Sequence, residues 1–192
     1  MNLRHHLRRF FAQERGNAVI ETVIIVPTML VAWIAVYAFW EAYSSRTAFQ
    51  KASHVAADLL SREMVPVTDA TLTGLDTVME YLVDSRFDVA SRFASYTRTG
   101  SLDTDVVVTW SYSTATATLP ALTTADLVAR AANLPKLTVG ATALVVDTRM
   151  NYSLPMSVPV ATYVVPSSFS QSVVLRPRFV TRLCRAGTPV VC

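Results

Sequence analysis

Few residues in this chain are of the types that do chemistry. Nucleophilic catalysis needs a base beside a hydroxyl or thiol, and the histidines are His5 and His6 near the start and one later residue, His54. A lone histidine on a helical stretch is usually structural or solvated, which argues against a Ser–His–Asp arrangement. Asp103 and Asp105 sit in a turn-like stretch, where turn chemistry accounts for them. Five glycines form no phosphate-binding loop, and no cluster has the spacing of metal ligands. We therefore expect no enzyme, no cofactor and no metal. The cysteines are Cys184 and Cys192, with Gly187 and Pro189 between them to let the chain fold back. The residue that stands out is Glu21, a carboxylate flanked by Val19, Ile20, Val23 and Ile24. A carboxylate inside a membrane-spanning segment is costly and asks for a cationic partner.

The element that carries Glu21 explains the composition. The 192 residues are 52% hydrophobic and 16% charged, with mean hydropathy +0.35. The charged share is low for a globular chain and the apolar share too high for a disordered one. Ala18 to Trp40 is almost uncharged. That is the length of a bilayer-spanning helix, about 20 residues. Trp33, Tyr37, Phe39 and Trp40 crowd its far end, as aromatic residues do at a lipid–water boundary. A secretory signal is usually shorter and ends at a small-x-small cleavage site. Residues 1–16 hold Arg4, Arg8, Arg9 and Arg15 against Glu14, which accounts for the whole net charge of +3. The positive-inside rule puts this leader in the cytoplasm and the bulk of the chain outside. The remainder is formally neutral, so a basic stripe for nucleic acid is missing. Outside the cytoplasm, a disulfide between Cys184 and Cys192 is favoured over two reduced thiols on a tail.

The segment Glu14-Arg15-Gly16-Asn17-Ala18-Val19-Ile20-Glu21, followed by the apolar run, resembles the class III signal of type IV pilin-like proteins. In that family a prepilin peptidase cuts after the glycine, and the glutamate is fifth in the mature chain. The resemblance thus implies a cleavage site at Gly16 and Asn17, with an assembly role for Glu21. The α-amine freed at Asn17, its own or a neighbour's, would be the cation that Glu21 requires. More of the chain is similar to TadE/TadF-like minor pilins or pseudopilins of tight-adherence (Flp) systems. Pro27 matches a proline common in that family's anchor. Thr142-Ala143-Leu144-Val145-Val146-Asp147, Tyr152, Leu154-Pro155 and Arg176-Pro177-Arg178 match its C-terminal region. Thr22 departs from it, since an aromatic often follows the glutamate there. The resemblance implies an inner-membrane protein with a periplasmic or extracellular domain. Its partners would be a prepilin peptidase, major and minor pilins and the Tad assembly platform. The rival expectation is an uncleaved single-pass scaffold of an envelope complex.

The expected architecture is α+β. It comprises a basic leader (1–16), a transmembrane and stalk helix (17–63) and an external domain (64–192). Phe49, Ala52, Ala56, Leu59 and Leu60 recur on one helical face, with Arg46, Lys51, Asp58 and Arg62 largely elsewhere. Pro27 predicts a kink or loosening. Val65-Pro66 ends the helix. A second helix is expected over Asp69–Asp84 and a short one over Thr124–Asn133. Strands are expected over Phe87–Thr97, Val106–Tyr112, Thr142–Tyr152 and Ser172–Leu183, the last an edge or bulged strand at Pro177. Pro155, Pro159 and Pro166 mark a loop-rich crossing. The strands are expected to form a small antiparallel sheet.

Overall fold

One helix sets the scale of the molecule. Helix α1 (Arg15–Ser61) has 47 residues, about 70 Å at 1.5 Å per residue. After Gly16 it has no glycine, and its one proline is Pro27. The computed structural model describes residues 15–84, 86–154, 165–187 and 189–192, with side chains from Val19 onward. The leader up to residue 14, Pro155 and Pro159 lie outside the described residues. The helix runs through Pro27 without a break, and beside it the Thr28 hydroxyl donates to the Ile24 carbonyl at 2.6 Å. The proline costs one backbone bond, and the surrounding turns are continuous enough to carry the helix past it.

Helix α2 (Asp69–Val83) doubles back beside α1. Thr68 caps it by accepting a bond from the Thr71 amide. It ends at Asp84, which takes φ 114°. The Asp84 carboxylate accepts from the Arg86 amide, an Asx-type turn that helps an aspartate hold this conformation.

The sheet consists of β1 (Val89–Arg98), β2 (Val106–Ser113), β3 (Thr142–Asn151) and β4 (Ser168–Leu175). All pairs are antiparallel and the order is β2-β1-β3-β4. Helix α3 (Thr124–Ala129) and a 3-10 turn (Ala131–Asn133) lie on the face opposite the long helices. Thr123 and Asp126 form a reciprocal capping box that starts α3. The fold is α+β, a long N-terminal helix packed on a small antiparallel sheet with short helices.

The sheet is covered on both faces. Phe93, Trp110, Leu144, Val146, Met150 and Val173 face α1 and α2. Ala94, Tyr96, Val106, Ala143 and Val145 meet Leu122, Leu127 and Leu137 on the other side. Strands buried on both sides lose clean alternation, which is why β1 alternates only loosely and β3 opens on a solid apolar run. Each fully buried large apolar side chain contributes about 1.5–3 kcal/mol. A bulge at Ser95/Tyr96 shifts the β1–β2 register, so Ser95 pairs with Trp110 and Tyr96 with Val108.

The last strand differs from expectation. It runs over Ser168–Leu175, and Arg176-Pro177-Arg178 follows it. Pro177 has no amide hydrogen to extend a ladder. The next amide, of Arg178, turns instead onto the Ser61 carbonyl at the end of α1. The helix expected over 124–133 is also two pieces, α3 and the 3-10 turn, separated at Arg130.

Candidate assembly helix and its joint with the domain

Helix α1 has two halves with opposite surroundings. From Val19 to Tyr37 its side chains are exposed, apart from half-buried Ile34. Trp33 is 75% exposed and Ile20 62%. This stretch is long and apolar enough to cross a membrane, and none of its most apolar window is buried. Nineteen residues rise about 27 Å, close to a hydrocarbon core of about 30 Å. Glu21 lies near the start of this exposed half. None of the ion pairs among the described residues includes it. Pro27 lies six residues further on, about 1.7 turns. Gly16 and Asn17 sit in the first turn of the helix.

Burial begins at Ala38. From there Ala42, Phe49, Ala52, Ala56 and Leu60 form the stripe that packs on the domain. Leu59 does not belong to it and is 41% exposed, because the residue next to Leu60 on a helix points about 100° away. Ser53 replaces it as a recognition element of the buried face. Its hydroxyl bonds the Phe49 carbonyl and, across the interface, the Thr148 hydroxyl at 2.8 Å.

The joint between the halves is an ionic and aromatic collar. Arg86 reaches Glu41 at 3.3 Å and Asp84 at 2.8 Å. The backbone and side-chain hydrogen bonds of Arg86 hold the Asp84 carboxyl below its ordinary range. The Arg86 guanidinium also lies over the Phe87 ring, Phe87 stacks on Tyr152, and Tyr152 meets Phe169. Above the collar an open groove of about 460 Å³ runs between α1 and the end of α2, lined by Trp40, Tyr43, Ala48, Ala52, Val55 and Leu82. The small side chains of Ala48 and Ala52 leave the room.

The opposite end of α1 is tied to the C-terminal segment. Arg178 pairs with Asp58 at 2.6 Å, and Trp110 donates its indole hydrogen to the Leu183 carbonyl at 2.8 Å. Val67 exchanges backbone bonds with Cys184 and Ala186. Cys184 and Cys192 are joined in a disulfide with Cα atoms 4.3 Å apart. The bond closes a short loop around the Arg185–Val191 bridge. Arg185 adds an ion pair to Asp69 and lies over the Tyr112 ring.

Sequence reasoning missed the most elaborate polar cluster. Asp147 of β3 is buried on the α3 face, between Arg92 at 2.6 Å and Arg130 at 2.8 Å. Ser172 donates to it at 2.6 Å, and Arg92 also donates to the Pro120 carbonyl. Burial pushes the Asp147 carboxyl up, but hydrogen bonds from Arg130, Ser172 and Arg92 outweigh it and hold the group below its ordinary range. Its oxygens are saturated, so the cluster clamps β1, β3, β4 and α3 together and leaves no lone pair poised for proton transfer. An aspartate directly after the apolar run Ala143–Val146, in the middle of a strand, is the signal that could flag it. His54 is exposed on α1. Asp105 accepts from the Leu102 amide and Asp103 pairs with Arg98, both as turn chemistry. Among the described residues no group of three or more His, Cys, Asp or Glu is placed to hold a metal ion. No family model, curated protein or solved structure matches this chain.

Proposed function

We propose that this chain is a minor pilin or pseudopilin of the tight-adherence type. It inserts in the inner membrane with residues 1–16 in the cytoplasm and its α+β domain in the periplasm. A prepilin peptidase cuts after Gly16. The mature helix then moves laterally into a filament or its tip, where it packs against major and minor pilins on the assembly platform. The observation that carries this reading is the division of α1. An apolar half with no protein cover bears one carboxylate, and the other half is built into a folded domain. A plain anchor has no use for Glu21, whereas a helix that must find an axial register does. In hydrocarbon a bare carboxylate is costly enough that pairing with the Asn17 α-amine of a neighbouring subunit would fix that register. The bridged Cys184–Cys192 pair suits an oxidising compartment.

The substitution Glu21→Ala tests the assembly role in cells that carry the peptidase. Processing after Gly16 stays intact, and incorporation into filaments falls at least about tenfold, the loss that about 1.4 kcal/mol of pairing energy produces. Unchanged incorporation would refute the pairing.

A further inference from the structure

One buried carboxylate is left unsatisfied by the fold, and it lies under α2. Asp76 is 9% exposed on the buried face of α2, beside Leu72, Leu75 and Met79. Its Oδ1 has no hydrogen-bond partner among the described residues. The groups acting most strongly on it are the Thr114 hydroxyl beyond β2, Glu80 of α2 itself, and Asp88 just before β1. Two of the three are further acids. Thr114 is committed elsewhere too, since its hydroxyl also bonds the backbone of Ser91. On the same sheet face the buried Ser91 and Ser95 hydroxyls have no partner among the described residues.

The cations nearby are engaged elsewhere. Arg185 of the C-terminal segment is held by Asp69 at the start of α2 and lies over the Tyr112 ring. Arg92 of β1 is on the other sheet face with Asp147. Arg86, beyond the end of α2, holds Asp84 and Glu41. Lys51 of α1 lines the outer groove with Leu82. An ionised carboxylate in this seam lacks a compensating charge, and a neutral carboxylic acid gains a donor hydrogen for its surroundings.

We propose that α2 is a proton-gated cover, seated on the sheet when Asp76 is neutral and loosened when Asp76 is ionised. Because Leu82 lines one side of the groove beside Trp40 and Tyr43, loosening α2 widens that groove in the same step. Burial pushes the Asp76 carboxyl from its ordinary 3.8 up to about 6, Thr114 opposes the rise, and Glu80 and Asp88 add to it. The folded state therefore binds the proton more tightly than the opened state. The stabilisation is complete below pH 3.8, declines as pH rises through the interval to about 6, and is gone above it. The whole interval is worth about a hundredfold in the opening equilibrium, roughly tenfold of it between pH 5 and 7.5. This inference stands whether or not the chain is a pilin.

Hydrogen exchange on the full-length protein in detergent micelles tests it, comparing wild type with Asp76→Asn at each pH so that intrinsic rates cancel. For peptides within Asp69–Val83, the ratio of wild-type to variant exchange should rise about tenfold between pH 5 and 7.5. A ratio independent of pH overturns the proposal. So does an equal rise in peptides from Thr142–Asn151, which would mean that the whole domain responds. Should Asp76→Asn fail to fold, carboxyl NMR of the wild type decides. An Asp76 midpoint near 6 accompanied by faster exchange of the α2 amides above that pH upholds the gate; a midpoint near 3.8, or α2 amides whose protection does not follow the titration, removes it.

Discussion

The two halves of α1 are one continuous helix, yet different surroundings keep them helical. In the half that ends at Tyr37, side chains as large as Trp33 and Met29 are mostly exposed. In the half that begins at Ala38, alanines and serines alternate with Phe49 and Leu60, and the sheet lies against them. The domain half is the less hydrophobic of the two and the better buried. Small residues let the sheet approach, while the bulky residues of the free half would hold it off. Hydrophobicity thus marks the part that the domain leaves bare, and modest size marks the part that the protein buries itself. Even the hydroxyls divide this way. Thr28 and Ser53 both donate to the carbonyl four residues back, but only Ser53 also reaches across to another element.

Paired substitutions can break this contrast. Phe49→Ala removes a ring that is 1% exposed at the centre of the helix–sheet contact. We expect it to lower domain stability by about 3–5 kcal/mol in chemical unfolding of the detergent-solubilised protein. Trp33→Ala, a larger deletion by volume, should change that stability by less than about 0.5 kcal/mol. Equal losses would mean that the free half packs on the domain after all. A finer comparison uses the hydroxyls. Ser53→Ala should cost about 1 kcal/mol through the bond to Thr148, and Thr28→Ala should leave the same unfolding transition in place.

The sequence was most readable where one environment acts on a long element. The apolar run, the Val65-Pro66 stop and the valine-rich strands all carry a single strong pattern, and the α+β architecture followed from them. Reading failed where tertiary contacts override local pattern. Ser168-Phe169-Ser170-Gln171 opens β4 with polar residues because it is a sheet edge, so its start was invisible. The expected stretch up to Leu183 instead crosses to the end of α1 and past Trp110. Leu59 matched the apolar period but falls just outside the buried stripe. Asp147 and Asp76 were passed over because an isolated acid in a sequence shows neither its depth nor its neighbours. One proves saturated by two arginines, and the other is left with an orphaned oxygen. At the candidate site, Glu21 stands out as a carboxylate in an apolar run, and Gly16 and Pro27 through the resemblance to pilin-like signals and anchors. The collar of Glu41, Arg86 and Phe87, which joins residues far apart in the chain, could come only from the fold.

As an assembly helix, the free half of α1 would lose its leader to proteolysis after Gly16. Mass spectrometry of the N-terminus of the membrane-bound protein, from cells that contain the prepilin peptidase, addresses it at a single bond. The account predicts a mature chain that begins at Asn17, with the leader gone. A chain that still begins at Met1 in those cells would contradict it, and would leave α1 as the fixed anchor of an uncleaved scaffold.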